Sequence, residues 1–233
     1  MKNIRLSSLT ADIPVFSDEK LCPRCSHPED DGGCFGCNVF NKEENKNFTG
    51  GEYYFDRIIC AGEYHLSKKD KHAAKTNRDN LTKLILAFKK NEKYVAPCAE
   101  LIKLKIDEFR ASLGLEKTAF ICAVPDLQTE KYKKGEILAK KVSEITGIPF
   151  VQVLVKTKET AKQHDLHSIK EKFDNVRGVF EISEDHKNKL NKQSIIITDD
   201  VVTSIATLNA CAKVLKENGA GKIFIFAIGR SRY

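Results

Sequence analysis

The sequence has no apolar run that approaches the roughly 20 residues needed to cross a membrane as a helix, which argues against a membrane span. Its first residues, Met1 to Leu6, also lack the apolar stretch of a secretory signal. The six histidines show no ligand spacing, and neither a Ser-His-Asp nor a Cys-His arrangement stands out. These absences predict a cytoplasmic protein, and they leave no nucleophilic triad to explain an enzymatic activity.

The composition sets the size of the fold and the sign of its charge. With 233 residues, 41% of them hydrophobic, the chain can bury one sizeable core and carry a small additional module. A net charge of +7, from 39 basic and 32 acidic residues, favours polyanionic partners such as nucleic acid or phosphorylated metabolites. A lysine-rich, solvated surface explains the same charge equally well.

Four of the eight cysteines fall within 16 residues, as the pairs Cys22-Pro-Arg-Cys25 and Cys34-Phe-Gly-Cys37. Two Cys-x-x-Cys knuckles at this spacing predict a tetrahedral Zn²⁺ site, and four protein ligands leave no position for a catalytic water, so the ion is expected to be structural. His27 is an alternative ligand, and a redox pair or unbound thiols are alternative interpretations. The other four cysteines lie in apolar segments and are predicted to be core residues.

The segment from Ser194 to Leu208 has the most informative pattern in the chain. Ile195 to Ile197 predicts a buried strand of a parallel sheet, and the acidic pair Asp199-Asp200 follows it. Small and hydroxyl residues then precede a helical pattern that ends at Gly219: these are Thr203, Ser204, Ala206 and Thr207. A junction between a strand's carboxyl end and a helix's amino end binds phosphorylated ligands in open α/β sheets. A solvated loop that caps a helix is the alternative interpretation.

The rest of the chain alternates between helical and strand patterns. Helices are predicted over 80–90, 95–113 and 135–145, and strands over 53–61, 118–125, 150–155 and 222–228. The strand, helix and strand from 118 to 155 form a βαβ unit, which implies parallel pairing and predicts an α/β fold. We expect an amino-terminal segment at 1–20, a zinc module at 21–45 and an α/β domain at 46–233. Basic residues at 68–75 could contact a nucleic-acid backbone, although a solvated loop is the commoner interpretation.

The run Asp199-Asp200-Val-Val-Thr203-Ser-Ile205-Ala-Thr207 resembles the signature of the phosphoribosyltransferase family. The resemblance implies a parallel-sheet, Rossmann-like domain that binds phosphoribosyl pyrophosphate together with Mg²⁺. It makes Asp199 and Asp200 the catalytic carboxylates that hold the ribose, and it makes Thr203, Ser204, Ala206 and Thr207 the phosphate cradle. Ile205 replaces the glycine of the family. We expect a β-branched residue there to resist the positive φ and the close backbone approach that glycine allows.

Further motifs, in order along the chain, narrow the resemblance to the ComF-type competence proteins, a branch of the phosphoribosyltransferases with an amino-terminal four-cysteine zinc module. Besides the cysteine pairs and the acidic segment, they are Phe88-Lys89, Val124-Pro125, Thr160 with Gln163, Asn175-Val176-x-Gly178-x-Phe180, and Ala227 with Arg230. After Val-Pro, an Arg-Gly-Phe-Asn-Gln-like element of that family corresponds here to Glu130-Lys-Tyr-Lys-Lys134, which retains the aromatic residue as Tyr132. Lys131, Lys133 and Lys134 can offer positive charge to a pyrophosphate, as mobile point charges rather than bidentate forks.

This resemblance implies a role in natural transformation, and it leaves three hypotheses about function. The first is a transferase, or a binder, of phosphoribosyl pyrophosphate. The second is a non-enzymatic factor that handles single-stranded DNA, with a degenerate phosphoribosyl site. The third is a protein that contacts the other components of the DNA-uptake machinery through its zinc module and basic helices.

Overall fold

The computed structural model describes residues 1–17, 21–26, 37, 46, 52–65, 79–126, 129, 131–161, 165–187 and 190–231, and the backbone alone of 29–30 and 33–34. Some predictions fall outside these residues: those on His27, on the basic segment 68–75, on Glu130 and on Gln163. None of the helices in the described ranges is both long and apolar enough to cross a membrane.

Ten strands and five α-helices make up the part of the chain that the structure describes. The strands are β1 (Lys2–Arg5), β2 (Asp12–Val15), β3 (Glu29–Asp30), β4 (Gly33–Cys34), β5 (Arg57–Tyr64), β6 (Thr118–Ala123), β7 (Leu154–Lys156), β8 (Phe180–Ile182), β9 (Ser194–Val202) and β10 (Ile223–Ser231). The helices are α1 (Asn80–Phe88), α2 (Val95–Leu113), α3 (Lys134–Thr146), α4 (Ile169–Asp174) and α5 (Ala206–Glu217). Short 3-10 turns lie at Glu92–Tyr94, Leu115–Lys117 and Glu184–His186.

The centre of the molecule is a four-stranded, fully parallel sheet in the order β5-β10-β9-β6. Ile195, Ile196 and Ile197 are fully buried because both faces of the sheet are covered. Helices α1, α2 and α3 pack on one face, whereas α5, the β7–β8 hairpin and the first cysteine pair pack on the other. The predicted α/β class is therefore confirmed.

The helix predictions agree with the structure to within a few residues. α2 has the predicted bounds, Val95–Leu113, and Gly114 ends it in the left-handed region with φ of 66°. α1 ends at Phe88 rather than at Lys90, and it begins where the Asp79 side chain accepts a hydrogen bond from the Thr82 N–H at 2.8 Å.

The predicted parallel strand over 150–155 is wrong. Phe150 makes one parallel bridge with Ile121, and the ladder stops there. The Gln152 side chain takes over the backbone of Ala123: its Oε1 accepts from the N–H at 3.0 Å and its Nε2 donates to the C=O at 3.2 Å. Once Gln152 has satisfied these groups, the chain leaves the sheet, and β7 pairs antiparallel with β8 instead.

The first strand of the sheet and an amino-terminal hairpin also differ from the sequence prediction. β5 begins at Arg57, not at Tyr53. An unpredicted hairpin of β1 and β2 packs Ile13 and Val15 into the core against α1 and β5, and it is tied to β5 by a 2.8 Å hydrogen bond from the Phe16 N–H to the Ala61 C=O.

Candidate functional site

The acidic pair lies inside β9, because this strand continues past the apolar run as far as Val202. Pairing with β10, which sets Ala227 opposite Asp199, holds the backbone extended despite the poor strand propensity of aspartate. The Asp200 N–H donates to Asp199 Oδ1 at 2.8 Å, so the first carboxyl is fixed against the backbone of the second. Both side chains remain partly exposed at the carboxyl edge of the sheet.

The two carboxyl groups have different electrostatic surroundings. Burial, followed by the neighbouring charge of Asp200, raises the pKa of the Asp199 carboxyl to about 8. Asp200 instead has a counter-charge, because Lys89 Nζ lies 3.5 Å from its Oδ2. Lys89 follows α1 directly, and its ammonium also lies 5.4 Å from the centre of the Tyr64 ring. Asp199 therefore retains its proton near neutral pH, beside a second carboxyl that has a lysine as its counter-charge.

A cleft with about 340 Å³ of open space lies in front of this pair. Its lining comes from the ends of β6 and α1 and from the first turns of α3: Phe88, Val124, Asp126, Lys134, Gly135 and Leu138, in addition to Asp199 and Asp200.

Gly135 lets α3 begin close to the end of β6. A Cβ atom at this position would lie 2.5 Å from the Val124 carbonyl oxygen, so a larger residue would push the helix away from the strand. The Gly135 N–H donates to Asp126 Oδ2 at 3.0 Å, which turns the Asp126 side chain toward the start of the helix. Close packing here keeps the cleft narrow.

The turn between β9 and α5 contains the residues predicted to cradle a phosphate. Thr203 and Thr207 are partly exposed, whereas Ser204 and Ala206 are buried, so Ala206 can offer a ligand its backbone N–H alone. No side chain in the described part of the chain caps the first turn of α5, and its leading N–H groups have no partner within the helix. Such a helix start favours an anion. These residues do not line the cleft itself, which opens on the face covered by α1 and α3.

The backbone at Ile205 does not adopt the positive φ that a β-branched residue was expected to resist. Ile205 has φ of −79° and ψ of 0°, a conformation open to any L-residue, so the turn does not use the positive φ for which glycine is suited. Its side chain is buried in the same core as Leu208 and Cys211. The turn therefore avoids the positive φ that a β-branched residue resists, while the expected effect of Ile205 on the close approach of a phosphate stays a prediction.

Of the three lysines predicted on the pyrophosphate side, Lys134 lines the cleft. Lys133 Nζ lies 3.9 Å from Glu136 Oε1, and Lys131 is exposed outside the cleft. Tyr132 has a structural contact here, since its hydroxyl donates to the Phe88 carbonyl at 2.8 Å and its ring packs edge-on against Phe88. The lysine segment thus contributes one charge directly to the cleft.

Two lining or facing residues, Asp126 and Lys89, were not among the predicted site residues. Asp126 follows the strand that neighbours β9, and the carboxyl ends of neighbouring parallel strands meet at one edge. That rule could have identified Asp126 from the sequence. Lys89 belongs to the Phe88-Lys89 motif of the resemblance, which gave it no role in the site, and its contact with Asp200 joins residues 111 positions apart in the sequence.

Three of the four predicted zinc ligands come together in the structure. The Sγ atoms of Cys22, Cys25 and Cys37 lie within 4.8 Å of one another, with 3.6 Å between Cys22 and Cys37 and 3.7 Å between Cys37 and Cys25. A tetrahedral ion with Zn–S bonds of about 2.3 Å separates its sulfurs by roughly 3.8 Å, and a disulfide would need about 2.05 Å. The cluster therefore suits a metal such as zinc. The backbone of Cys34 pairs with Glu29 in the β3–β4 hairpin, and its side chain lies outside the described atoms.

The knuckle that carries Cys22 and Cys25 is fixed to the sheet. Ser26, with a positive φ of 52°, closes the turn by a 3.0 Å hydrogen bond from its N–H to the Cys22 carbonyl. Its Oγ donates to the Ile58 carbonyl at 2.6 Å, and the Ile58 N–H donates to the Arg24 carbonyl at 2.7 Å. Hydrogen bonds among the thiols, with Cys25 first, lower the pKa of Cys22, whereas the bond with Cys22 raises that of Cys25.

The raised pKa of Asp199 makes a prediction about stability. The folded chain binds a proton at Asp199 up to about pH 8, whereas the unfolded chain releases it near pH 4. Asp199 therefore destabilises the fold progressively as the pH rises through this interval. We expect Asp199→Asn to raise the melting temperature little at pH 5 and by about 2–4 °C at pH 9. The rise at pH 9 corresponds to a gain of about 1 kcal/mol in the free energy of unfolding. Thermal melts of the variant and the natural protein between pH 5 and pH 9 measure the difference in melting temperature. A difference that is negative, or that does not change with pH, contradicts the prediction.

Comparison with known proteins gives distant homologues in the ComF/YhgH competence group. The chain is 27% identical over 138 residues to Competence protein F of Haemophilus influenzae, an alignment that covers 57% of this chain and 59% of the relative. It is 24% identical over 151 residues to the DNA utilization protein YhgH of Escherichia coli K12 and of Salmonella typhimurium, covering 63% of this chain and 64% of each relative. The chain thus spans about three fifths of the length of these relatives. No protein-family model matches it.

Proposed function

We propose that this chain binds phosphoribosyl pyrophosphate with Mg²⁺ at the edge of the sheet beside Asp199 and Asp200, and that it acts in DNA uptake, as the names of its homologues indicate for them. One observation supports the ligand most strongly. The paired carboxyls at the carboxyl end of β9 are followed, after a three-residue turn, by the uncapped amino end of α5. A ribose 5-phosphate needs these two features side by side.

Each part of the ligand has a counterpart in this arrangement. The ribose hydroxyls can donate to Asp199 and Asp200, which lie on consecutive positions of one strand. The 5-phosphate can accept from the backbone N–H groups that begin α5 and from the hydroxyls of Thr203, Ser204 and Thr207. The diphosphate can extend toward Lys134, with Lys131 and Lys133 as further charges. If Mg²⁺ is bound with the ligand, it would neutralise part of the charge of the diphosphate.

If the chain is a transferase, the reaction is a displacement at the anomeric carbon. The bond from this carbon to the pyrophosphate oxygen breaks, the pyrophosphate leaves with the electron pair, and a nucleophilic nitrogen or other acceptor forms the new bond. The residues present act by positioning and by charge neutralisation rather than by nucleophilic attack. Asp199, with its raised pKa, is the group in the cleft that can exchange a proton near neutral pH.

Calorimetric titration of phosphoribosyl pyrophosphate with Mg²⁺ tests the proposal. We expect one site per chain with a dissociation constant of micromolar order, which corresponds to about −8 kcal/mol. Ribose 5-phosphate and inorganic pyrophosphate, titrated separately, are expected to bind more weakly than the intact ligand. Removal of Mg²⁺ with EDTA is expected to weaken the binding of phosphoribosyl pyrophosphate. Absence of binding at about millimolar ligand contradicts the proposal.

A second candidate function, handling of single-stranded DNA, has its own support in the net charge of +7 and in the printed name of the YhgH relatives. If the chain neutralises DNA phosphates with lysines, the logarithm of its affinity must fall linearly with the logarithm of salt concentration, at about 0.7 per neutralised phosphate. Fluorescence anisotropy with a labelled oligonucleotide at several salt concentrations measures the slope. A flat profile leaves contacts with other uptake proteins as the remaining role for the basic surface.

The division of the chain into an amino-terminal segment at 1–20, a zinc module at 21–45 and an α/β domain at 46–233 is also part of the proposal. It is supported by the cysteine cluster at its expected place and by the sheet that begins at β5.

A further inference from the structure

Tyr132 connects the end of α1 to the segment that leads into α3. Its hydroxyl donates to the carbonyl oxygen of Phe88 at 2.8 Å, and the two rings pack edge-on with 6.4 Å between their centres. Phe88 is the last residue of α1, so its carbonyl has no partner within the helix, although the Asn91 N–H also donates to it at 3.2 Å. Tyr132 thus adds a second donor at the negative end of the helix.

The hydroxyl of Tyr132 remains a donor near neutral pH. Burial, followed by the nearby charge of Glu92, raises the pKa of Tyr132 to about 12, so the group keeps its proton. Its ring is partly buried against the core that α1, α2 and α3 form with the sheet. The contact with Phe88 is therefore not lost by ionisation, and the surrounding side chains shield it in part from water.

The contacts of Tyr132 connect the acidic pair to a lysine of the cleft. The Tyr132 carbonyl accepts from the Lys134 N–H at 3.1 Å, which forms a tight turn before α3, and Lys134 lines the cleft. On the other side of the hydrogen bond, Lys89 follows Phe88 directly, and its Nζ lies 3.5 Å from Asp200 Oδ2. The backbone of Lys134 is thus fixed relative to Asp200 through the end of α1.

Lys134 is available to an anion, because it has no ion-pair partner among the residues that the structure describes. Lys133 beside it lies 3.9 Å from Glu136. A lysine is a mobile point charge, and binding is weakened when the side chain and the backbone that carries it must be ordered by the ligand. A hydrogen bond that fixes this backbone in advance therefore favours binding.

We propose that Tyr132 is a positioning residue for the diphosphate of the ligand: its hydrogen bond to Phe88 holds Lys134 at a fixed distance from the acidic pair before the ligand arrives. The inference rests on the proposed function. Tyr132 does not line the cleft, so it acts on the diphosphate through Lys134 rather than by contact. The ribose 5-phosphate end of the ligand lies at the start of α5 and does not depend on this hydrogen bond.

Tyr132→Phe tests the inference, because it keeps the ring and removes the donor. We expect this variant to bind inorganic pyrophosphate and phosphoribosyl pyrophosphate about fivefold more weakly, as the loss of one neutral hydrogen bond allows. Its affinity for ribose 5-phosphate should stay within about twofold of that of the natural protein. Calorimetric titration of the three ligands with Mg²⁺ measures these affinities. A general loosening of the fold would instead weaken the binding of all three alike.

A double-mutant cycle with Lys134→Met shows whether Tyr132 acts through this lysine. Lys134→Met is expected to weaken pyrophosphate binding about tenfold, and Tyr132→Phe should then add less than about twofold, because both changes affect one contact. The matched control is Tyr94→Phe, which removes the hydroxyl of another tyrosine that packs against the same core but lies outside the cleft lining. This control should leave the affinity for pyrophosphate within about twofold.

Hydrogen exchange of the backbone amides tests the structural part of the inference without any ligand. In Tyr132→Phe, the amides at residues 131–135 are expected to exchange about fivefold faster than in the natural protein, while those in α2 stay protected. Equal exchange rates at 131–135 in the two proteins would overturn the inference, because the hydrogen bond would then not order the segment.

The titrations also separate this inference from the proposed function. If the natural protein binds phosphoribosyl pyrophosphate and Tyr132→Phe binds it equally well, or loses affinity for ribose 5-phosphate to the same extent, the inference is overturned and the proposed function stands. If the natural protein binds none of the three ligands, the proposed function fails, and the role of Tyr132 in holding a diphosphate fails with it.

Discussion

Replacing Cys22 and Cys25 together by serine is expected to reduce the bound zinc from about one ion per chain to none, and to lower the melting temperature by about 10 °C or more. The reason is the position of the cluster. Its two knuckle cysteines are buried against the sheet and their turn is hydrogen-bonded to β5, so the metal's binding energy stabilises the fold as well as the module. Metal analysis of the purified protein and thermal melts measure the two effects.

Cys98→Ser is the matched control for this experiment. Cys98 is also fully buried, but it lies in the core on the opposite face of the sheet, away from the cluster. Burial of a hydroxyl there costs about 1–2 kcal/mol, so this variant should melt a few degrees lower and retain its zinc. A natural protein that is folded without metal, or a double variant that still holds one zinc, contradicts the structural role of the cluster.

The double substitution Asp199→Asn/Asp200→Asn is expected to weaken binding of phosphoribosyl pyrophosphate by about 100-fold or more. Each carboxyl would accept a hydrogen bond from a ribose hydroxyl. Such a bond contributes about 1.5–3 kcal/mol at an ionised carboxylate and about 0.5–1.5 kcal/mol at the protonated Asp199. The amides keep the shape of the side chains. Because Asp199 is itself destabilised by burial, the variant should be at least as stable as the natural protein at neutral pH. Calorimetry and thermal melts on the same samples therefore separate lost binding from lost folding.

Glu184→Gln/Asp185→Asn provides the control for charge. These residues form another adjacent acidic pair, exposed in a 3-10 turn outside the cleft, and the substitution likewise replaces two carboxyls by amides. This substitution should leave the affinity for phosphoribosyl pyrophosphate within about twofold of that of the natural protein, because screened charges on the surface act weakly on a ligand in a distant site. Equal weakening by both double variants would show that net charge, rather than the position of Asp199 and Asp200, determines binding.

The sequence was sufficient to predict the elements whose own pattern is strong. The isoleucine run of β9 and the helical period of α2 were both assigned correctly from their own patterns. Parallel pairing was predicted from the strand, helix and strand at 118–155, although the last of these strands pairs outside the sheet. The Cys-x-x-Cys spacing likewise predicted that Cys22, Cys25 and Cys37 lie together. The pattern that predicts β9 or α2 lies within the element itself, and the cysteine pattern predicts contacts because its residues bind one ion.

Other features depend on contacts that are distant in the sequence. Asp199 and Asp200 stay in a strand because β10 pairs beside them, and Gln152 ends the predicted parallel strand by occupying the backbone of Ala123. At Ile205 the penalty of a β-branched residue at positive φ does not apply, because φ there is −79°, a value that only the folded turn reveals. The contact of Arg230 with the turn joins two strands whose sequence patterns give no sign of it.

Asp199, Asp200 and the start of α5 are proposed to form one phosphoribosyl site. Its most direct test is a crystal structure with phosphoribosyl pyrophosphate and Mg²⁺ bound. We expect the 5-phosphate on the backbone N–H groups at residues 203–207, the ribose hydroxyls against the two carboxyls, and the diphosphate directed toward Lys134. A ligand bound elsewhere on the chain, or a phosphate whose ribose does not reach Asp199 and Asp200, would contradict the claim.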